Sequence, residues 1–348
     1  MKACIVTVYN STNCGSFLQA YSLKYALEKL GAEVTFLKTG VKKNRRIMLR
    51  KSIRHIKKGR FSKVRPEYRK YRNFESCLKS FDICRMNKKE LSRQDVFILG
   101  SDEIWNVSRN IMRRADVFWG CGLDGKIISY APSVNTATED DMALVPYAEL
   151  ALECMNSISV RDSYSKELIS KYTDKPVEIL CDPTFLLPAE EYDRLAGSCP
   201  FDDFILIYSA GTRFTAEDKK AIKAFAEKKG KKLAAFPHDL DWCDVHGEPH
   251  PLDAIAYFKK ADYVITDTFH GTALSLIFGK SFLALPRENK KVEELLEYFD
   301  LPQLMRSDAS GVEEYFESTD YSREKLSLRI NKEREKSETF LKNALGIQ

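Results

Sequence analysis

Ala261-Asp-Tyr-Val-Ile-Thr-Asp-Thr-Phe-His270-Gly271-Thr-Ala-Leu-Ser-Leu-Ile-Phe278 is the stretch whose reading decides the fold. Tyr263 to Thr266 reads as a buried strand, Thr272 to Phe278 as an apolar helix, and His270-Gly271 as the turn between them. Strand, short turn and helix make the repeating unit of a parallel α/β sheet. In such sheets ligands collect beyond the carboxyl ends of the strands, where helix N-termini aim N–H groups and a positive dipole at an anion. A histidine there can bind a phosphate or move a proton near neutral pH. His270 is therefore the leading candidate for chemistry.

The same pattern extends in both directions. Upstream, Ala3 to Tyr9 reads as a strand, Ser16 to Leu30 as an amphipathic helix stopped by Gly31, and Val34 to Leu37 as the next strand. Further strands end in sheet-end turns: Asp95 to Leu99 before Gly100-Ser101-Asp102, Ile127 to Tyr130 before Ala131-Pro132-Ser133, Ser157 to Val160 before Arg161-Asp162, and Val177 to Cys181 before Asp182-Pro183-Thr184. These are continuous apolar runs rather than alternating ones, as a sheet covered on both faces requires. A Pro- and Gly-containing stretch, Leu187 to Pro200, reads as a hinge. The pattern then restarts with strands Phe204 to Tyr208, Lys232 to Phe236, Tyr263 to Thr266 and Ser281 to Leu285.

The expectation is an α/β protein of two doubly wound, Rossmann-like domains facing across a cleft. The N-terminal domain covers 1–187 with a basic helical insert at 42–72, and the C-terminal domain covers 201–321. A charged helix over 322–348 follows and can pack back onto the N-terminal domain.

Length and composition agree with that plan. At 348 residues the chain is too long for one ordinary core. With 44% hydrophobic and 30% charged residues it belongs with soluble globular proteins rather than disordered ones. The apolar run Ala3 to Val8 is too short for a signal-peptide core, and no run approaches the roughly 20 apolar residues of a membrane span. The expected location is cytoplasmic. Nine scattered cysteines without a C-x-x-C pair fit reduced thiols. Cys4, Cys154 and Cys181 read as core residues, while Cys14 reads as a loop thiol open to solvent.

The net charge of +5 is unevenly spread. Lys42 to Arg72 holds fifteen Lys or Arg against one acid, Glu67, so the segment carries +14 and the remainder +5 − 14 = −9. Ile47, Leu49, Ile53, Ile56, Phe61 and Val64 punctuate it at roughly helical spacing. It suits either a solvated helical excursion or a basic amphipathic surface in peripheral contact with anionic membrane or an acidic glycan. Nucleic acid is not an expected partner, because no recognition motif accompanies the charge.

Several turns carry polar groups. In Tyr9-Asn-Ser-Thr-Asn-Cys-Gly15-Ser16, Asn10, Asn13, Gly15 and Ser16 can bind an oxyanion or simply cap the helix. Neither a G-x-G-x-x-G nor a Walker motif occurs, which argues against NAD and ATP in their commonest cradles. In Gly100-Ser101-Asp102-Glu103-Ile104-Trp105-Asn106, the groups Ser101, Trp105 and Asn106 can hold a sugar, or the turn can start a helix that buries Trp105. Arg161 can clamp a phosphate or carboxylate, or pair with Asp162 or another neighbouring acid. The loop His238 to His250, with Asp239, Asp241, Cys243, Asp244, His246 and Glu248, matches no known metal spacing, so no metal is expected.

Taken in order, Asn13-Cys-Gly-Ser-Phe-Leu-Gln-Ala-Tyr21, Phe97-Ile-Leu-Gly-Ser-Asp-Glu-Ile-Trp-Asn106, Ile128-Ser-Tyr-Ala131, Ser159-Val-Arg-Asp-Ser163, Cys181-Asp-Pro-Thr184 and Asp267-Thr-Phe-His-Gly271 resemble the polysaccharide pyruvyl transferase family. The resemblance covers most of the chain, leaving out the basic insert and the tail. It implies a fold like that of GT-B glycosyltransferases with the active site between the domains. It also implies transfer of a pyruvyl group from phosphoenolpyruvate to a sugar of a surface or capsular glycan as a ketal, with no cofactor beyond that donor.

Arg161 and His270 match family positions associated with the phosphoenolpyruvate pocket. The resulting assignment has His270, Asp102 and Asp267 as catalytic residues. Arg161, Phe269, Gly271, Thr272, Asn13 and Gly15 would contact the donor, and Ser101, Trp105 and Asn106 a glycan or lipid-linked sugar acceptor. Alternatives on the same architecture are a nucleotide-sugar-dependent glycosyltransferase and a non-catalytic glycan-assembly protein. Some members carry Arg two residues before this His, where Thr268 stands here. One cationic contact to the donor is then absent or supplied elsewhere.

Overall fold

A computed structural model describes residues 1–40, 44–61, 64–209, 211, 213–246, 250–287 and 289–347. The chain forms two compact units, one of residues 1–59, 74–187 and 332–348 and the other of 60–73 and 188–331.

The first unit is built on β1 (Lys2–Val6), β2 (Glu33–Leu37), β3 (Ile83–Cys84), β4 (Val96–Leu99) and β5 (Lys126–Ser129). Their spatial order is β3-β2-β1-β4-β5, and every pairing is parallel, with Ala3 opposite both Val34 and Val96. A bridge from Ile128 to Ser157 leads on to a parallel pair, β6 (Ile158–Val160) and β7 (Val177–Ile179). Ala3 to Val6 and Val96 to Leu99 are buried throughout, so neither strand has a wet face to mark by alternation.

The second unit repeats the plan with β8 (Phe204–Tyr208), β9 (Lys232–Phe236), β10 (Val245–His246), β11 (Tyr263–Thr266) and β12 (Ser281–Ala284). The order is β10-β9-β8-β11-β12, again all parallel. In each sheet the chain winds outward to one side and then continues on the other. The direction reverses between β1 and β4 and between β8 and β11. Loops leaving two such strands diverge, which opens a crevice at their carboxyl ends.

Differences from the sequence reading are local. The first strand stops at Val6 rather than Tyr9. The two-residue edge strands β3 and β10 are too short to leave a periodic signal. Cys14, expected to be open to solvent, is fully buried, because the first seven residues of helix Cys14–Lys29 are all buried. Cys154, expected in the core, is exposed. Helix Ala148–Cys154 buries Ala148, Ala151 and Leu152, and that stripe turns position 154 outward.

The basic segment forms helix Asn44–Lys57 and the start of helix Val64–Leu78, while Lys42, Lys43 and Lys63 lie outside the described residues. The charged tail is helix Arg323–Leu345. Within the first unit its Arg334 donates to the carbonyls of Phe185 and Leu187 and its Lys336 to that of Ile179, while Ser337 lies 3.4 Å from Cys181 Sγ. No helix among the described residues is long and apolar enough to cross a membrane.

Candidate functional site

The crevice of the second unit lies where β8 and β11 diverge. Helix Phe269–Ile277 begins three residues earlier than its sequence suggests, so His270 occupies the first helical turn rather than the loop before it. Thr268 is the cause. Its backbone is extended, and its Oγ1 accepts the Gly271 N–H at 2.9 Å, a side-chain N-cap. Thr266 Oγ1 accepts the Thr268 N–H at 3.2 Å and lies 3.1 Å from Thr268 Oγ1.

Position 271 admits only glycine, since a Cβ there would stand 2.0 Å from Thr266 Oγ1 and 2.7 Å from Thr268 Oγ1. Thr272 is fully buried, and its N–H and Oγ1 both donate to the Thr268 carbonyl at 3.0 Å. This corrects the sequence reading of Gly271 and Thr272 as donor contacts, because the cap itself uses their hydrogen bonds. Phe269 is buried, and its ring meets that of half-buried His270 edge-on at 5.3 Å and 87°, which restrains the imidazole. Asp267 is buried, and its Oδ2 accepts from Ser209 Oγ at 3.0 Å. That bond ties the end of β11 to the end of β8 across the crevice.

The first unit has a comparable crossing where β1 and β4 diverge. Thr7 Oγ1 donates to the Ser101 carbonyl at 3.1 Å, and Gln19 Nε2 lies 3.4 Å from Thr7 Oγ1. Gly100 is packed so tightly that a Cβ would stand 2.1 Å from the Tyr130 carbonyl oxygen. Asp102 adopts left-handed backbone, φ 66°, which aspartate tolerates when its side chain bonds locally. Here Oδ1 accepts the Glu103 N–H at 2.9 Å and Oδ2 accepts Ser16 Oγ at 2.8 Å.

Three expected acceptor contacts are corrected. Ser101 is fully buried, with Oγ donating to the Ala131 carbonyl at 2.6 Å. Trp105 is fully buried, donates from Nε1 to the Phe118 carbonyl at 2.9 Å, and stacks on Trp119 at 4.9 Å and 11°. It offers no face to a sugar, and no helix starts at Ser101 or Asp102. Asn106 is buried between Glu103, 3.3 Å from its Nδ2, and Ser108, 2.6 Å from its Oδ1. In the first loop, Asn13 is the N-cap, with Oδ1 accepting from the N–H groups of Gly15 at 2.9 Å and Ser16 at 3.4 Å. The capping reading holds there, and the Gly15 N–H is used by it.

Arg161, just beyond β6, pairs with Asp182 rather than with Asp162: Nη1 donates to Oδ2 at 3.1 Å, with side-chain exposures of 3% and 0%. Asp182 Oδ1 in turn accepts from Thr184 N–H at 3.0 Å and Oγ1 at 2.8 Å. Burial by itself would lower the Arg161 pKa. Asp182, then Asp162, Asp102 and Glu103, outweigh it, and the pKa is raised. Asp162 instead caps the following helix, accepting the Ser165 N–H at 2.7 Å.

In the segment that follows β9, His246 Nδ1, on β10, lies 3.1 Å from Asp239, and Asp244 accepts the Leu233 N–H at 2.7 Å. No group of three or more potential ligands is placed to hold a metal among the described residues, and Glu248 lies outside them.

Three residues that sequence reasoning did not select organise these sheet ends: Thr7, Asp182 and Ser209. Asp182 stands in a sheet-end Cys-Asp-Pro-Thr turn, which was its available signal. The hydroxyls carry none, because each acts on a residue far away in the chain.

The family model for polysaccharide pyruvyl transferases matches residues 13–289, a span that includes Asp102, Arg161 and His270. No curated protein sequence matches the chain. Among solved structures it is similar to UDP-GlcNAc 2-epimerase from Neisseria meningitidis bound to UDP-GlcNAc, at 10% identity and a TM-score of 0.55 over 99% of each chain. The UDP-N-acetylglucosamine 2-epimerase from Rickettsia bellii gives 10% identity and 0.52 over 99% of this chain and 96% of that one. Arabidopsis thaliana UGT89C1 complexed with quercetin gives 14% and 0.50 over 98% of each. Likeness at these identities speaks to fold, and the fold is of the GT-B type.

Proposed function

This chain belongs to the polysaccharide pyruvyl transferase family, a family of transferases, and on that premise we propose that it moves a pyruvyl group from phosphoenolpyruvate onto two hydroxyls of a glycan or lipid-linked sugar, on the cytoplasmic side of the membrane. A proton adds to the methylene carbon of the enol phosphate, and a first sugar hydroxyl, giving up its own proton to a base, attacks the carbon that carries the phosphate. That C–O bond to phosphate then breaks. A second hydroxyl closes the ketal, its proton leaving with inorganic phosphate.

The observation that carries this reading is the His270 turn. The imidazole stands at the carboxyl end of β11, beside the point where sheet order reverses, on a helix N-terminus fixed by Thr268 and Gly271. In the proposal His270 delivers the proton to the methylene carbon or bears on the departing phosphate. The positive end of helix Phe269–Ile277 adds attraction for the donor's anionic groups. Asp267, held by Ser209, fixes the backbone from which His270 projects. Asp102, held by Ser16, is the candidate base for an acceptor hydroxyl. Arg161 enters as a positioning residue through Asp182.

The test incubates the protein with phosphoenolpyruvate and a glycan acceptor, following phosphate release and the gain of one pyruvyl mass on the acceptor. Thermal stabilisation by UDP or GDP sugars with none by phosphoenolpyruvate would move the assignment to a nucleotide-sugar-dependent glycosyltransferase. If His270→Ala leaves turnover and surface glycan composition unchanged, the catalytic assignment fails.

A further inference from the structure

Helix Asn44–Lys57 carries two stripes. Its inner side comprises Met48, Ser52 and His55, of which Ser52 is buried and the other two half-buried, with Ser52 Oγ 3.7 Å from Met48 Sδ. On another side Leu49, Ile53 and Ile56 are 47%, 52% and 47% exposed. Their i, i+4, i+7 spacing sets them in one row along the helix. Single exposed apolar residues are ordinary on protein surfaces, whereas a three-residue stripe turned away from the core is a surface awaiting cover.

The charge around the stripe identifies the cover. Helical geometry puts Arg45 on one flank of the row and Arg46, Arg50 and Lys57 on the other. From Asn44 to Gly59 the chain contains no acidic residue at all, while the chain outside 42–72 is net negative. A second copy of this helix would bring like charges together at the rim of the stripe, which opposes self-association. Nucleic acid would reward the cations but leave three aliphatic side chains in water. A bilayer with anionic headgroups satisfies both at once. The aliphatic row enters the acyl boundary, and the flanking arginines and lysines reach the phosphates.

We propose that helix Asn44–Lys57 seats the first unit on an anionic lipid surface. The surface is defined by its chemistry, negative headgroups over hydrocarbon. The proposal is independent of the pyruvyl transfer reading, because its assay contains no substrate.

The full chain is floated with vesicles of phosphatidylcholine alone and of phosphatidylcholine mixed with phosphatidylglycerol, at low and high salt. Recovery with the anionic vesicles at low salt, lost at high salt, is expected. Arg46→Ala with Arg50→Ala should weaken vesicle affinity roughly 25-fold, from about 1 kcal/mol for each cation at an anionic surface. Leu49→Ser, Ile53→Ser and Ile56→Ser together should abolish flotation while leaving the circular dichroism spectrum and melting temperature intact, since all three side chains are exposed. No flotation with anionic vesicles at low salt, equal flotation with neutral ones, or flotation indifferent to both sets of changes overturns the proposal. So does self-association in sedimentation that the serine variant removes, which would assign the stripe to a second copy.

Discussion

Arg161 Nη1 donates to Asp182 Oδ2 at 3.1 Å across 21 residues of sequence, with both groups out of water. A strand-end arginine that reads as a phosphate clamp thus has part of its fork committed to a carboxylate that Thr184 also holds. The pair joins the end of β6 to the turn after β7, so its first duty is to hold those two sheet ends together.

Removing one member of a buried pair strands the other charge, which costs about 3–5 kcal/mol, whereas removing both costs much less. Arg161→Met and Asp182→Leu should each lower stability by an amount of that order, and the double variant by clearly less than the sum. Urea denaturation of all three checks it. Additive losses would show the pair is not coupled.

His270→Asn should lower turnover by roughly 10²- to 10⁴-fold, the usual worth of a general acid or base, with the melting temperature nearly unchanged. The side chain is half-buried, and the N-cap of its helix is Thr268. Paired calorimetry and phosphate-release kinetics separate the two effects.

Gly271→Ala should be far more damaging than an alanine in a helix normally is. The added methyl would stand 2.0 Å from Thr266 Oγ1, and overpacking of this kind costs typically about 1–3 kcal/mol. A drop in melting temperature together with lost turnover is expected. Full activity would show that the Thr266–Thr268 pair can move aside.

Trp105→Ala should cost about 3–5 kcal/mol of stability, as for other large-to-small changes in a core. It should show no selective rise in KM for the acceptor. A rise in acceptor KM with stability intact would restore the sugar-stacking role that its burial argues against.

Thiol chemistry should divide the cysteines by burial. Burial pushes the Cys181 and Cys243 thiols up to about 12, so both are protonated and unreactive at about pH 8, where maleimide needs thiolate. Cys154 is exposed and should be labelled first. Peptide mass spectrometry before and after denaturation reads the order directly.

The strand-ending turns were legible because their signals are local. Tyr263 to Thr266 and Val96 to Leu99 declare themselves by runs of apolar residues, and His270 by following one of them. What the side chains of these turns do was not legible. Gly271, Thr272 and Gly15 look like anion contacts until the caps of Thr268 and Asn13 are seen to use their N–H groups. Trp105 looks like a sugar platform until Trp119 and Phe118 close over it.

By itself the sequence determined two α/β units and the family, and picked out the strand-ending turns, because hydrophobic period and turn composition act over a few residues. Only the tertiary structure decided which polar groups hold which. Ser16 reaches Asp102 across 86 residues, Thr7 reaches Ser101 across 94, and Ser209 reaches Asp267 across 58. Such pairs form because parallel strands far apart in the chain lie side by side, and burial then leaves each hydroxyl and carboxylate to find its partner within reach.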